Sequence, residues 1–125
     1  MAHSFNYAAA LRQLGLVQRD RGALANAILA FRRSLEGFAS LPADQRDPKQ
    51  SLGATADLGH ALAGQARRTS SLALTNEARA TLQQALDGWR AYQQGAGAKE
   101  DLHQDIDDIA SALQELDRSI GKRSR

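Results

Sequence analysis

The feature that most narrows the fold of this chain is where its prolines are absent. Both of them, Pro42 and Pro48, fall in the polar stretch 41–49, and on either side of it apolar residues recur at steps of three and four. Proline removes a backbone donor and clashes with the preceding helical turn, so its confinement to one loop leaves the rest of the chain free to form long helices. The three-and-four spacing predicts that it does. No alternating run of the kind that makes a half-buried strand is present.

Residues 5 to about 20 carry Leu11, Leu14 and Val17 at helical spacing, and Gly22 breaks this first helix. From 23 to about 40, Leu24, Ile28, Phe31, Leu35 and Phe38 form one stripe along a second helix. The tight turn at Arg21-Gly22 makes the two antiparallel neighbours. Beyond the proline loop, Leu52, Ala56, Gly59, Leu62 and Ala66 mark a third helix whose alanines and glycines permit close approach. Residues 67–76 contain a Thr-Ser-Ser cluster and Thr75, candidate N-caps for a fourth helix running to about residue 94. Its buried stripe is Ala78, Leu82, Ala85, Leu86 and Trp89.

Gly95-Ala96-Gly97 ends that helix, and Asp101 with Gln104 suggests a capping box for a fifth, which Gly121 should stop. The basic tail 122–125 should fray. Leu102, Ile106, Ile109, Leu113, Leu116 and Ile120 alternate steps of four and three, a narrow seam suited either to a helix laid along a bundle end or to a dimeric coiled coil. Fewer than three heptads is short for an autonomous coiled coil, which favours the first. The expected fold is therefore all-α with five helices. It is a single domain, 1–125, of two antiparallel hairpins, 5–40 and 48–94, and a capping helix, 98–121.

Composition restricts function by exclusion. With 42% hydrophobic and 24% charged residues over 125 positions the chain can bury one core. Sixteen basic against fourteen acidic side chains are too evenly balanced to indicate nucleic-acid binding. The charges are sorted, however: basic residues dominate through Gln50 and acidic ones from Lys99 onward. The absence of cysteine excludes disulfides and thiolate chemistry and makes the reducing cytoplasm the expected compartment. Residues 1–11 show no secretory pattern, and no apolar run approaches the ~20 residues of a membrane span. Residues 1–4 are compatible with an expression scar, and the chain with a fragment of something larger.

An internal repeat is present. Leu14-Gly15 in the first helix is echoed by Leu58-Gly59 in the third, and Ala27, Phe31 and Ser34 are matched in spacing by Ala78, Leu82 and Ala85. This combination resembles the tetratricopeptide repeat, in which glycine marks the closest helix approach and alanine and a large apolar residue fill the facing sites. Leu11 stands where that family has an aromatic residue, and Gln18 where it has a tyrosine. The second unit holds about seven extra residues between Gly59 and Ala78, which predicts an enlarged turn around 67–75. Ala78-Arg79, Leu82, Ala85-Leu86 and Trp89, followed by a glycine break and an acidic helix, are similar to repeat tails of bacterial signalling proteins.

A search for chemistry finds little. His3, His60 and His103 form no metal-ligand pair, the glycines of 53–64 lack a phosphate-loop ending, and the acidic residues Glu100, Asp101, Asp105, Asp107 and Asp108 read as a solvated helix start favoured by the helix dipole. No catalytic residues, metal or cofactor are expected, and the chain is read as a non-enzyme.

The resemblance implies a protein-interaction module binding a peptide or helix of a partner protein on a concave face formed by the first and third helices. That face would present Ala9, Arg12, Leu16, Arg19 and Asp20, with Gly53, Ala56, His60 and Ala63, and would offer Arg12 and Arg19 to an acidic group. His60 is either a partner contact or a partly exposed packing residue. The alternative is a structural bundle that assembles through the fifth helix. The expected state is a monomer or weak homodimer, with neither nucleic acid nor membrane as partner.

Overall fold

The computed structural model describes residues 4–123. Over these it is all-α, with five helices, α1 (Phe5–Asp20), α2 (Leu24–Ala39), α3 (Pro48–Thr69), α4 (Leu72–Gln94) and α5 (His103–Arg123), a short 3-10 turn at Ala43–Gln45 and no strand. The expectations attached to residues 1–3, His3 among them, and to the last two residues of the tail lie outside the described residues.

Local chemistry sets the helix ends. The Ser4 hydroxyl accepts from the Tyr7 amide at 3.0 Å, Asp47 accepts from Lys49 N at 3.0 Å, and Ser71 accepts from Leu74 N at 3.1 Å, so each caps an orphan donor of α1, α3 or α4. Pro48 occupies the first turn of α3, where its missing N–H is not needed. Gly22, at φ 78°, makes the left-handed turn between α1 and α2.

The predicted enlargement around 67–75 is absent. α3 runs to Thr69 and α4 begins at Leu72, joined by Ser70 in the left-handed region (φ 52°) and Ser71. The extra residues lengthen the two helices instead. Seven residues are about two helical turns, one for each arm of an antiparallel pair, so the register across the pair survives the insertion. Gly15 accordingly faces Phe31 and Gly59 faces Leu82. A Cβ on Gly59 would lie 2.6 Å from Leu82 Cδ2, and one on Gly15 would lie inside the contact distance of the Phe31 ring.

α1 packs mainly on α2 and α3 on α4, while α2 meets α3 and α4 meets α5. This is consistent with two stacked hairpins and a closing helix. The main core runs from Ala27 and Phe31 through Leu62, Ala78 and Leu82 to Ile109 and Leu113. A smaller cluster, Ala8, Phe38, Leu41 and Ala54, closes the other end of the first hairpin. Burying each large side chain contributes about 1.5–3 kcal/mol. Ser34 is fully buried and donates its hydroxyl to Ala8 O at 2.8 Å, so the repeat position tolerates a polar residue.

Four expectations change, the inward face of α1 and the start, the end and the capping of α5, while the α5 seam packs within the chain as favoured. The face of α1 that enters the core is Ala8 and Gly15, whereas Leu14 and Val17 are 47% and 45% exposed. α1 must turn its small residues inward because the Phe31 ring occupies the space a larger one would need. The seam of α5 is spent within the chain, with Leu102, Ile109, Leu113 and Leu116 buried and Ile106 and Ile120 half-buried. α5 itself starts at His103 and not at residue 98, and it passes through Gly121 to Arg123, a substitution cost of about 1 kcal/mol that a helix can carry. Gln104 donates forward to Asp108 at 2.7 Å, so no capping box forms, and Asp101 alone accepts from His103 N at 3.1 Å.

Candidate functional site

A cleft of about 390 Å³ lies between α1, α3 and α5. α3 makes its floor, because Gly53, Ala56, Asp57 and His60 recur at helical spacing and share one face. α1 supplies Arg12 and Arg19, two turns apart, and α5 supplies Asp105, Asp108 and Ile109. Trp89 of α4 reaches it from behind, and Lys49 and Gln50 line it from the first turn of α3. A shallower groove of about 210 Å³ runs between α1 and α2, lined by Leu11, Leu14 and Leu29 among others.

Arg12 is not held in reserve for an outside acid. Its Nε donates to Asp57 Oδ2 at 2.9 Å and its Nη1 to Gln50 Oε1 at 3.0 Å, with the two charged side chains only 21% and 15% exposed. The guanidinium lies across Gly53, where a Cβ would come within 2.7 Å of its Cζ. Gly53 is thus the residue that lets Arg12 lie flat. Arg19 donates to Asp20 at 3.3 Å in an exposed pair.

Lys49 and Tyr92 both donate to the Glu100 carboxylate, the tyrosine hydroxyl at 2.6 Å. The three tie the start of α3 to the end of α4 and the linker before α5. The hydrogen bond from Lys49, followed by that from Tyr92, holds the Glu100 carboxyl below its ordinary range. The same contacts raise Lys49 and Tyr92, each chiefly through its hydrogen bond to Glu100. Gly97 accommodates the Tyr92 ring, which a Cβ would strike.

His60 is half-buried in the floor. Burial lowers its pKa from the usual histidine value, Asp57 and Asp108 oppose that, and Arg19 adds to it. On the far wall, Asp108 accepts a hydrogen bond from neutral Gln104, and Asp105 makes no hydrogen bond or ion pair with any described residue.

Of the residues expected on the concave face, the cleft brings together Arg12, Arg19, Gly53, Ala56 and His60. Ala63 is in the core at 4% exposure, Leu16 packs against the main core and Ala9 against the smaller one. Asp20 is exposed and turned to Arg19. Missed altogether were Lys49, Gln50, Asp57, Trp89 and the whole α5 wall. Asp57 was legible in principle, three residues before His60 and four after Gly53. Asp105, Asp108 and Ile109 also share a face at i, i+3 and i+4, but nothing local says that this face turns toward α1.

Among the described residues no group of three or more His, Asp or Glu is placed to hold a metal ion, and no helix is long and apolar enough to cross a membrane. Comparisons with protein-family models, with curated proteins and with solved structures find no match.

Proposed function

We propose that this chain is a protein-interaction module, built in the manner of a tetratricopeptide pair with a closing helix, that takes a helical or extended segment of a partner protein in the cleft between α1, α3 and α5. The observation that carries this reading is the cleft itself: a concave channel in which small Ala56 lies on the floor beside Gly53, itself covered by the Arg12 guanidinium, with polar walls on both sides. A floor without bulk at Ala56 admits a backbone, and walls with charge fix its direction. Nothing in the cleft assembles a nucleophile with a base, so the module is read as non-catalytic, and a chain without cysteine suits the reducing cytoplasm as its place of work.

The competing reading, assembly through the α5 seam, is weakened by where the seam lies. Its four buried members already pack inside the chain, so Ile109→Asp would unfold the core before it could report on a dimer. Peptides selected from a random display library against the full chain test the cleft reading. Ala56→Leu, which fills the floor from a position only 8% exposed, should abolish binding of the selected peptides, with helicity kept and the unfolding midpoint lowered by the overpacking of the core it edges. Selected peptides that bind Ala56→Leu as well as wild type would exclude the cleft as the site.

A further inference from the structure

The charges of the cleft point to a ligand opposite in sign to the one its arginines suggest. Its ionised lining consists of Arg12, Arg19 and Lys49 on one side and Asp57, Asp105 and Asp108 on the other, a formal balance. The balance is undone by pairing. Arg12 is spent on Asp57 and Lys49 on Glu100, while Arg19 meets Asp20 in an exposed contact at 3.3 Å that screens it only in part. Among the described residues Asp105 has no counter-ion, and Asp108 is hydrogen-bonded by an uncharged amide and faces the His60 ring, whose charged form burial disfavours. Glu100 and Asp20 bring two further negative charges to the cleft's cations from outside the lining.

Resting on the cleft reading above, we infer that the partner segment inserts a lysine or arginine side chain between α3 and α5, where the carboxylates of Asp105 and Asp108 receive it. These two residues stand at i and i+3 on α5, so both reach one cationic group. Asp105, in the first turn of α5, is also favoured by the helix dipole. Asp108 is a turn further in and owes less to it. Ile109 and Trp89 also line the cleft and, although mostly buried, present an apolar edge that the methylene stem of such a side chain can touch. A partner that led with an acidic residue would meet Arg12 and Lys49 already occupied and the α5 carboxylates unscreened.

The experiment selects short random peptides on the full wild-type chain, reads their composition, and measures their affinity for wild type, Asp108→Asn, Asp105→Asn/Asp108→Asn and Ala56→Leu. The expected result is enrichment in lysine and arginine, with about tenfold weaker binding to Asp108→Asn and a larger loss in the double variant, since a charge-assisted contact is worth that much or more. Binding should also weaken as salt is raised. Circular dichroism of each variant establishes that the fold is kept. Peptides that lose binding to Ala56→Leu yet show no basic enrichment and ignore the asparagine variants would overturn this inference and leave the cleft reading standing. A library that yields no peptide sensitive to Ala56→Leu would remove both.

Discussion

Gly15→Ala is the sharpest structural test, because one methyl group is set against one ring. A Cβ at position 15 would lie 2.6 Å from Phe31 Cδ1 and 2.9 Å from Cζ, with Cε1 nearer still. Phe31 is fully buried, so the ring has no solvent to retreat into. Overpacking of this kind costs about 1–3 kcal/mol, while alanine in place of glycine returns about 0.5–1 kcal/mol of helix propensity. With three ring atoms under 3.0 Å the cost falls in the upper part of that range, so the net is a loss of about 1–2 kcal/mol, or roughly 4–8 °C in Tm for a chain of this size.

Gly121→Ala supplies the control, since nothing stands within 4 Å of the added methyl. It should leave stability unchanged or raise it by a few tenths of a kcal/mol, about what propensity yields near a helix end. Phe31→Leu alone should cost about 1–2 kcal/mol for the void it leaves. Combined with Gly15→Ala it should cost about 1 kcal/mol less than the sum, because each change relieves the other. Urea titrations followed by circular dichroism read all four proteins, with unchanged m-values expected. A Gly15→Ala variant as stable as wild type, or strict additivity with Phe31→Leu, would refute the pairing of the two and with it the register across the first hairpin.

Other consequences follow from the cleft and its surroundings. Arg12→Ala strands the Asp57 carboxylate at low exposure and should lower stability by about 1–3 kcal/mol, less in an Asp57→Ala background, as measured by thermal unfolding. His60 is held below its ordinary pKa in the folded state, so the unfolded chain binds its proton more readily. Its contribution to stability is full above pH ~6.5 and declines as pH falls from there toward the lowered folded value, and His60→Gln should flatten that part of a stability-against-pH profile. Glu100 is also held low, so its contribution is present above pH ~4.5 and lost as pH falls through its folded value. Glu100→Gln removes the main cause of the raised Tyr92 pKa, and tyrosinate absorbance in that variant should appear at lower pH.

What the sequence revealed and what it withheld divide along the range of the interactions. The positions of the first four helices were legible because their signals are local: Pro48 starts α3, Gly22 reverses the chain, and the stripes of α2 and α4 follow one period. The face of α1 was not, because size misled. Leu14 looks like core and Gly15 like a gap, yet the gap is what the Phe31 ring fills. The turn after α3 was overestimated because seven added residues look like loop until they are counted as helical turns in two opposed arms. The cleft was half legible. Gly53, Ala56 and His60 share one helix, but the bond between Arg12 and Asp57 joins residues 45 apart, and the α5 wall depends on how one hairpin stacks on the next.

The central claim, that the cleft is where a partner segment sits, is tested most directly by a footprint. The amide and indole signals of the isotope-labelled full chain are followed by NMR as a library-selected peptide is added. The account predicts saturable shifts at Ala56, Asp57, His60, Asp105, Asp108 and Ile109 and at the Trp89 indole. Shifts confined to Leu11, Leu14 and Leu29 in the groove between α1 and α2, with the cleft signals unmoved, would contradict it.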